Sequence, residues 1–201
     1  MPFENAQTED LVIASLLGDL RAFDLLVLRY RSAVMTVAKQ YAESRELAED
    51  IVQEVFVTAY NALPQLSDPG SFPSWLYSIA RRRALRISQK SRRIQPLEAS
   101  LLDSMISKFA SETQLEPEEE CLERLEQDWI WERVRSLKEE YRLPILLHYQ
   151  SEMSVREIAE FLAISETTVK WRLYQGRQKL KNLLAELECE EDDEAEARAK
   201  S

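Results

Sequence analysis

Only three glycines, Gly18, Gly70 and Gly176, interrupt a chain of 201 residues. Between them, apolar side chains recur at three- and four-residue steps through long stretches of Ala, Leu, Glu, Arg and Lys. So few turn formers and a period near 3.6 leave little room for strands, and the chain reads as all-α. Its length suits one or two small domains, each with its own core.

The periodicity divides into blocks. Thr8 is placed to cap a first helix that Gly18-Asp19 breaks. Phe23, Leu26, Val27, Tyr30, Val34, Val37, Ala38 and Tyr41 then mark one apolar face. Ser44 caps the next helix, whose buried stripe is Leu47, Ile51, Val52, Val55, Phe56, Ala59 and Leu63, closed by Pro64. Ser67 to Ser71 is a turn. A fourth helix starts near Phe72 with Pro73 in its first turn, and Pro96 marks its latest end. Phe72, Trp75, Leu76 and Ile79 share a face of it, after which Arg81, Arg82, Arg83, Arg86, Lys90, Arg92 and Arg93 follow without one acid. Residues 96–116 are weakly periodic and read as a flexible linker. Helical spacing resumes with the stripe Leu122, Leu125, Trp129, Ile130 and Val134, then with Leu143, Ile145, Leu146 and Tyr149. These blocks predict two small helical domains, 1–95 and 117–187, with an acidic, disordered tail at 188–201.

The segment from Ser154 to Lys181 is the most specific. Ser154 and Glu157 form a capping box, Val155, Ile158, Ala159 and Leu162 give the first short helix a buried side, and Ala163-Ile164 makes a break. Ser165 caps a second helix whose inner stripe is Val169, Leu173, Gly176, Leu180, Leu184 and Leu187. Its other faces carry Thr167, Thr168, Lys170, Trp171, Tyr174 and Gln175, flanked by Arg172 and Arg177. Two short helices with a tight break, the second one wet and cationic, form a helix-turn-helix that sets its second helix in the DNA major groove. There, Lys and Gln bond purine edges, while hydroxyls and cations hold phosphates. The arginines after Trp75 and Tyr77 suit melted DNA, whose bases stack on aromatics while cations follow the backbone.

The overall charge points the other way. Acidic residues number 36 against 26 basic ones, a formal net charge of −10. A free-standing DNA binder is usually basic, so DNA contact here is expected to be local and assisted by a partner. No apolar run approaches a membrane span, and no leader is evident. Cys121 and Cys189 have no metal-ligand spacing and read as inert thiols in a reducing cytoplasm, with a disulfide or redox switch between them as the alternative. No phosphate-binding glycine loop and no paired metal motif is present, and the single histidine, His148, reads as a helix-packing residue, so neither an enzyme nor a cofactor is expected.

In this order the pieces resemble the extracytoplasmic-function (ECF) sigma factors of bacteria, the smallest members of the sigma-70 family. DLVIASLLGDLRAFDLLVLRYRSAV is similar to the family's opening helices, Asp50 to Phe56 to the segment that grips core RNA polymerase, and FPSWLYSIARRRAL to the strand-opening, minus-10-reading helix. The stretch from Leu137 to Lys181 resembles the minus-35-reading domain. The resemblance implies core polymerase contacts at Asp50, Gln53, Glu54 and Phe56. It implies minus-10 contacts at Trp75, Tyr77, Arg81, Arg82, Arg83 and Arg86. It also implies minus-35 contacts at Ser165, Thr167, Thr168, Lys170, Trp171, Arg172, Tyr174, Gln175 and Arg177. Core RNA polymerase, promoter DNA and an anti-sigma protein are the implied partners, with no membrane insertion. The chain departs from the family's pattern at Arg82, where Asn is usual, at Arg83, where an apolar residue is usual, at Arg86, where an acid is common, and at Trp171, usually a small residue. The promoter sequence therefore does not transfer. The rival readings are a regulator that binds an operator without polymerase, and a helical scaffold that binds only proteins.

Overall fold

The computed structural model describes the backbone of residues 6–94 and 131–199, and side chains within 6–89 and 131–183. The expected linker at 96–116, Cys121 and the stripe from Leu122 to Ile130 lie outside the described residues, as do the side chains of Lys90, Arg92, Arg93, Leu184, Leu187 and Cys189. Every regular element among the described residues is helical.

The first domain contains α1 (Thr8–Leu16), α2 (Leu20–Lys39), α3 (Arg45–Ala62) and α4 (Phe72–Ile94). Thr8 is not the cap expected of it: Gln7 holds that position without a side-chain bond. Thr8 Oγ1 instead lies 3.0 Å from the Tyr30 hydroxyl, which ties α1 to α2. Gly18, at φ +95°, takes the left-handed corner that a side chain would resist, and the Asp19 carboxylate then accepts from the Arg21 amide at 2.9 Å to start α2. Ser44 caps α3 through the Leu47 amide at 3.2 Å, as expected. Past Ala62 a single tight turn over Leu63–Gln65 carries Pro64, and the Asp68 side chain turns the chain back by accepting from Gly70 at 3.0 Å. Leu11, Val12, Leu26, Val34, Val37, Ile51, Val55, Phe72 and Leu76 are fully buried between these helices. Each large side chain among them is worth roughly 1.5–3 kcal/mol of hydrophobic transfer.

The second domain contains the helical stretch 131–136, α5 (Glu139–Tyr149), α6 (Val155–Leu162) and α7 (Glu166–Ala199). Five consecutive residues of α5, Leu143 to Leu147, are buried, where only one face was expected to be. The reason is tertiary: α5 is covered by α6 and α7 on one side and by α2 on the other. At Gly176 a Cβ would stand 2.5 Å from Ile145 Cδ1, so α7 meets α5 closer than a side chain allows. The backbone of α7 is helical from Glu166 to Ala199. An already nucleated helix extends cheaply through Glu- and Ala-rich sequence.

The two domains are not merely tethered. Helix α6 packs on α4 and α5 on α2, and the buried residues of both form one contiguous cluster. Thr36, a buried polar residue of α2, has its Oγ1 2.8 Å from Ser151 Oγ. Arg142 Nε donates to Gln40 Oε1 at 3.2 Å, and the Tyr41 hydroxyl donates to Glu139 Oε1 at 3.0 Å.

Candidate nucleic-acid interface

The helix-turn-helix is built locally. Ser154 Oγ accepts from the Glu157 amide at 3.3 Å while the Ser154 amide donates to Glu157 Oε2 at 2.8 Å, closing the expected capping box. Ala163 ends α6 in the left-handed conformation (φ 55°), and the Ile164 amide returns to the Ala159 carbonyl at 3.0 Å. That bend aims the start of α7 outward. Ser165 Oγ accepts from the Thr168 amide at 3.1 Å, and Val169, Leu173 and Gly176 form the inner side.

The wet face of α7 carries most of its expected readers. Thr167 and Lys170 are exposed, and Lys170 pairs with Glu166, 3.8 Å away on the same helix. Trp171 and Tyr174 are 50% and 57% exposed, with the Trp171 ring tilted against Tyr141 at 5.9 Å. The exposed Arg177 lies over the Tyr149 ring, and Gln175 is half-buried. Ser165 and Thr168 spend their hydroxyls on each other, 2.8 Å apart, at the cap. Arg172 departs from expectation. It turns towards the first domain and shares a crevice of about 360 Å³ with Tyr77 and Arg81.

On α4 the arginines point in three directions. Arg82 and Arg86, one turn apart, are exposed. Arg83 lies one turn beyond Ile79, on the side facing α3, and its guanidinium pairs with Glu54 while its Nε is buried without an acceptor among the described residues. Arg81 faces the second domain, with Nε 3.4 Å from Glu139 Oε1. Trp75 is half-buried against Phe72, ring centroids 5.9 Å apart, as an apolar-stripe residue should be. Tyr77 is taken up by Phe161, ring centroids 5.3 Å apart. Burial pushes its hydroxyl pKa up, and that of Tyr41 likewise, with Glu139 reinforcing the shift at Tyr41.

On α3, Asp50, Gln53 and Glu54 are exposed in one row. Phe56 is not available beside them: it is buried in the core and supports the row from below. The row continues instead through Val57 and Tyr60, 61% and 44% exposed, with Tyr60 resting edge-on against Phe23. These two residues escaped the sequence reading. Their signal was apolar chemistry off the buried stripe, which on an amphipathic helix marks a contact surface. Phe161 was missed for a similar reason: it lies off the expected inner side of α6, and a short helix apolar on two sides must have two neighbours.

Residues 26–94 match the family model described as Sigma-70 region 2, and residues 127–180 that described as Sigma-70, region 4. The chain is 30% identical to the ECF RNA polymerase sigma-E factor of Escherichia coli K12 over 168 residues, 82% of this chain and 87% of that one. The chain belongs to the ECF sigma factors. It is similarly close to the ECF sigma factor SigW of Bacillus subtilis, 30% identical over 174 residues, covering 85% of this chain and 92% of SigW. Its fold resembles CnrH in complex with the cytosolic domain of CnrY, with a TM-score of 0.58 and 25% identity over 89% of this chain and 97% of that one. It also resembles the sigma factor RpoE of Bartonella quintana in complex with the anti-sigma factor NepR, with a TM-score of 0.50 and 18% identity over 83% and 98%. As an ECF sigma factor the chain directs promoter-specific transcription initiation by RNA polymerase. Among the described residues no helix is long and apolar enough to cross a membrane, and no cluster of His, Cys, Asp and Glu could hold a metal ion.

Proposed function

We propose a residue-level division of the sigma factor's work. Core RNA polymerase is met by the α3 row of Asp50, Gln53, Glu54, Val57 and Tyr60. The major groove at the minus-35 element is read by Thr167, Lys170, Trp171, Tyr174 and Arg177 of α7. Arg82 and Arg86 hold the backbone near the minus-10 element, and Tyr77 with Arg81 serves the unpaired strand. The role is that of a specificity subunit without chemistry of its own, and an anti-sigma protein is its natural antagonist. The observation that carries this reading is the open cationic and aromatic face of α7 in a chain whose net charge is −10. Such a chain is repelled by DNA as a whole and needs the polymerase to supply most of the grip.

Run-off transcription tests it. Core polymerase plus the chain yields promoter-dependent transcripts, and Lys170→Glu with Arg177→Glu abolishes them while leaving polymerase binding intact. Promoter-length DNA bound tightly by the chain alone, with no transcript on adding core enzyme, would instead establish an operator-binding regulator.

A further inference from the structure

We propose that Trp171, braced by Tyr141, selects thymine in the minus-35 element through the C5 methyl group of the base. The proposal rests on the reading of α7 as the minus-35 helix and names the base chemistry that its central aromatic takes.

Thr167, Trp171, Tyr174 and Gln178 are all exposed and follow one another at steps of four, three and four residues. They therefore share the side of α7 opposite its buried Val169 and Leu173. Trp171 stands in the second turn of a helix that begins at Glu166, where a helix laid in the major groove reaches base edges. It is 50% exposed, and its ring meets that of Tyr141 on α5 at 5.9 Å, tilted by 55°. Tyr141 is held in turn. Lys179 Nζ lies 5.5 Å from its ring centroid. A Cβ at Gly176 would stand 3.5 Å from the Tyr141 Cβ, so the glycine lets α5 come close enough to α7 for the two rings to meet. The indole is thus positioned before DNA arrives, and little rotamer freedom remains to be lost on binding.

An apolar ring set against base edges finds one apolar partner there. Every base pair offers hydrogen-bonding groups in the major groove, but only thymine adds a methyl. Facing cytosine instead, the ring would strip water from the amino group and return no hydrogen bond. Lys170 and Arg177, exposed on one flank of the stripe, supply charge for phosphates, which carry no sequence information.

Holoenzyme assembled from core RNA polymerase and the full chain tests this on promoter-length duplexes with a randomised minus-35 segment. Thymine should be enriched at a position where Trp171→Ala shows no preference. Replacing that thymine with deoxyuridine removes only the methyl and should weaken wild-type binding about fourfold, the value of one buried methyl. Cytosine at the same position should bind more weakly than thymine, and 5-methylcytosine should recover about fourfold over cytosine. Trp171→Ala should ignore both methyl changes. Tyr141→Ala should shrink the deoxyuridine effect to less than about half, and Tyr141→Phe should restore it, because the brace is a ring contact. The base-analogue comparisons use the unmodified chain and stand whether or not a variant folds. A wild type indifferent to the methyl, a methyl effect that survives in natively folded Trp171→Ala, or guanine at the Trp171-dependent position (the base whose acceptors the single indole N–H could serve) overturns the thymine assignment. An undiminished effect in natively folded Tyr141→Ala overturns the bracing. Absence of any base preference across the randomised segment removes the reading of α7 itself, whereas base preference without methyl dependence removes this proposal alone.

Discussion

Replacing Phe161 with alanine tests most directly how this fold is held together. The ring is fully buried, with Tyr30 on one side and Tyr77 on the other. A buried aromatic withdraws ~150–250 Å² from water, which at ~25 cal/mol per Å² gives about 4–6 kcal/mol as an upper figure. Measured Phe→Ala losses of roughly 3–5 kcal/mol agree with that scale. The expected loss in urea unfolding of the full chain is therefore about 3–4 kcal/mol. Phe161→Leu, which keeps most of the volume, should cost less than ~1.5 kcal/mol. A double-mutant cycle with Tyr77→Ala should return a coupling of about 0.5–1.5 kcal/mol, the value of an aromatic pair beyond its burial. The polar contacts nearby do not compete with this. The Arg81–Glu139 pair is about half exposed and, like other surface pairs, is worth roughly 0–1 kcal/mol. A Phe161→Ala loss below ~1 kcal/mol, or zero coupling to Tyr77, would mean that the ring is not enclosed by the first domain in solution.

Other outcomes follow from single positions. Ser154→Ala removes the capping box and should cost ~0.5–2 kcal/mol in thermal unfolding. Ala163→Gly relieves a left-handed alanine costing roughly 1–2 kcal/mol, less ~0.4–1 kcal/mol of added chain entropy, so a net gain of about 0.5 kcal/mol is expected and any loss contradicts the observed backbone. Arg82→Ala and Arg86→Ala should each weaken promoter complexes regardless of sequence and flatten their salt dependence by roughly one phosphate contact, measured by filter binding of the polymerase holoenzyme. Tyr30, Tyr41 and Tyr77 have hydroxyl pKa values raised by burial above the ordinary value near 10. Their folded state favours the neutral phenol, so the stability they contribute is complete below about pH 10 and declines as pH rises through the raised values. Scattering at rising pH should show the domains parting above pH ~10, and an unchanged particle there would refute it.

The sequence by itself determined the local architecture. Caps at Ser44, Ser154 and Ser165, the break at Ala163 and the three- and four-residue apolar steps are short-range signals, because a helix closes its bonds within four residues. The same local patterns identified the helix-turn-helix and the family. Tertiary structure decided which faces remain available. The sequence gives Arg81, Arg82, Arg83 and Arg86 one chemistry, yet they end on a neighbouring domain, in solvent, on Glu54 and in solvent again. Arg172 turns inward among outward-facing neighbours, Phe56 disappears into the core, and Phe161 joins a core laid down by residues far away in sequence. These outcomes depend on how α6 lies on α4 and α5 on α2, contacts between distant segments that leave no periodic mark on either one. Periodicity fixes which way a side chain points from its own helix axis; only rigid-body docking fixes what it then meets.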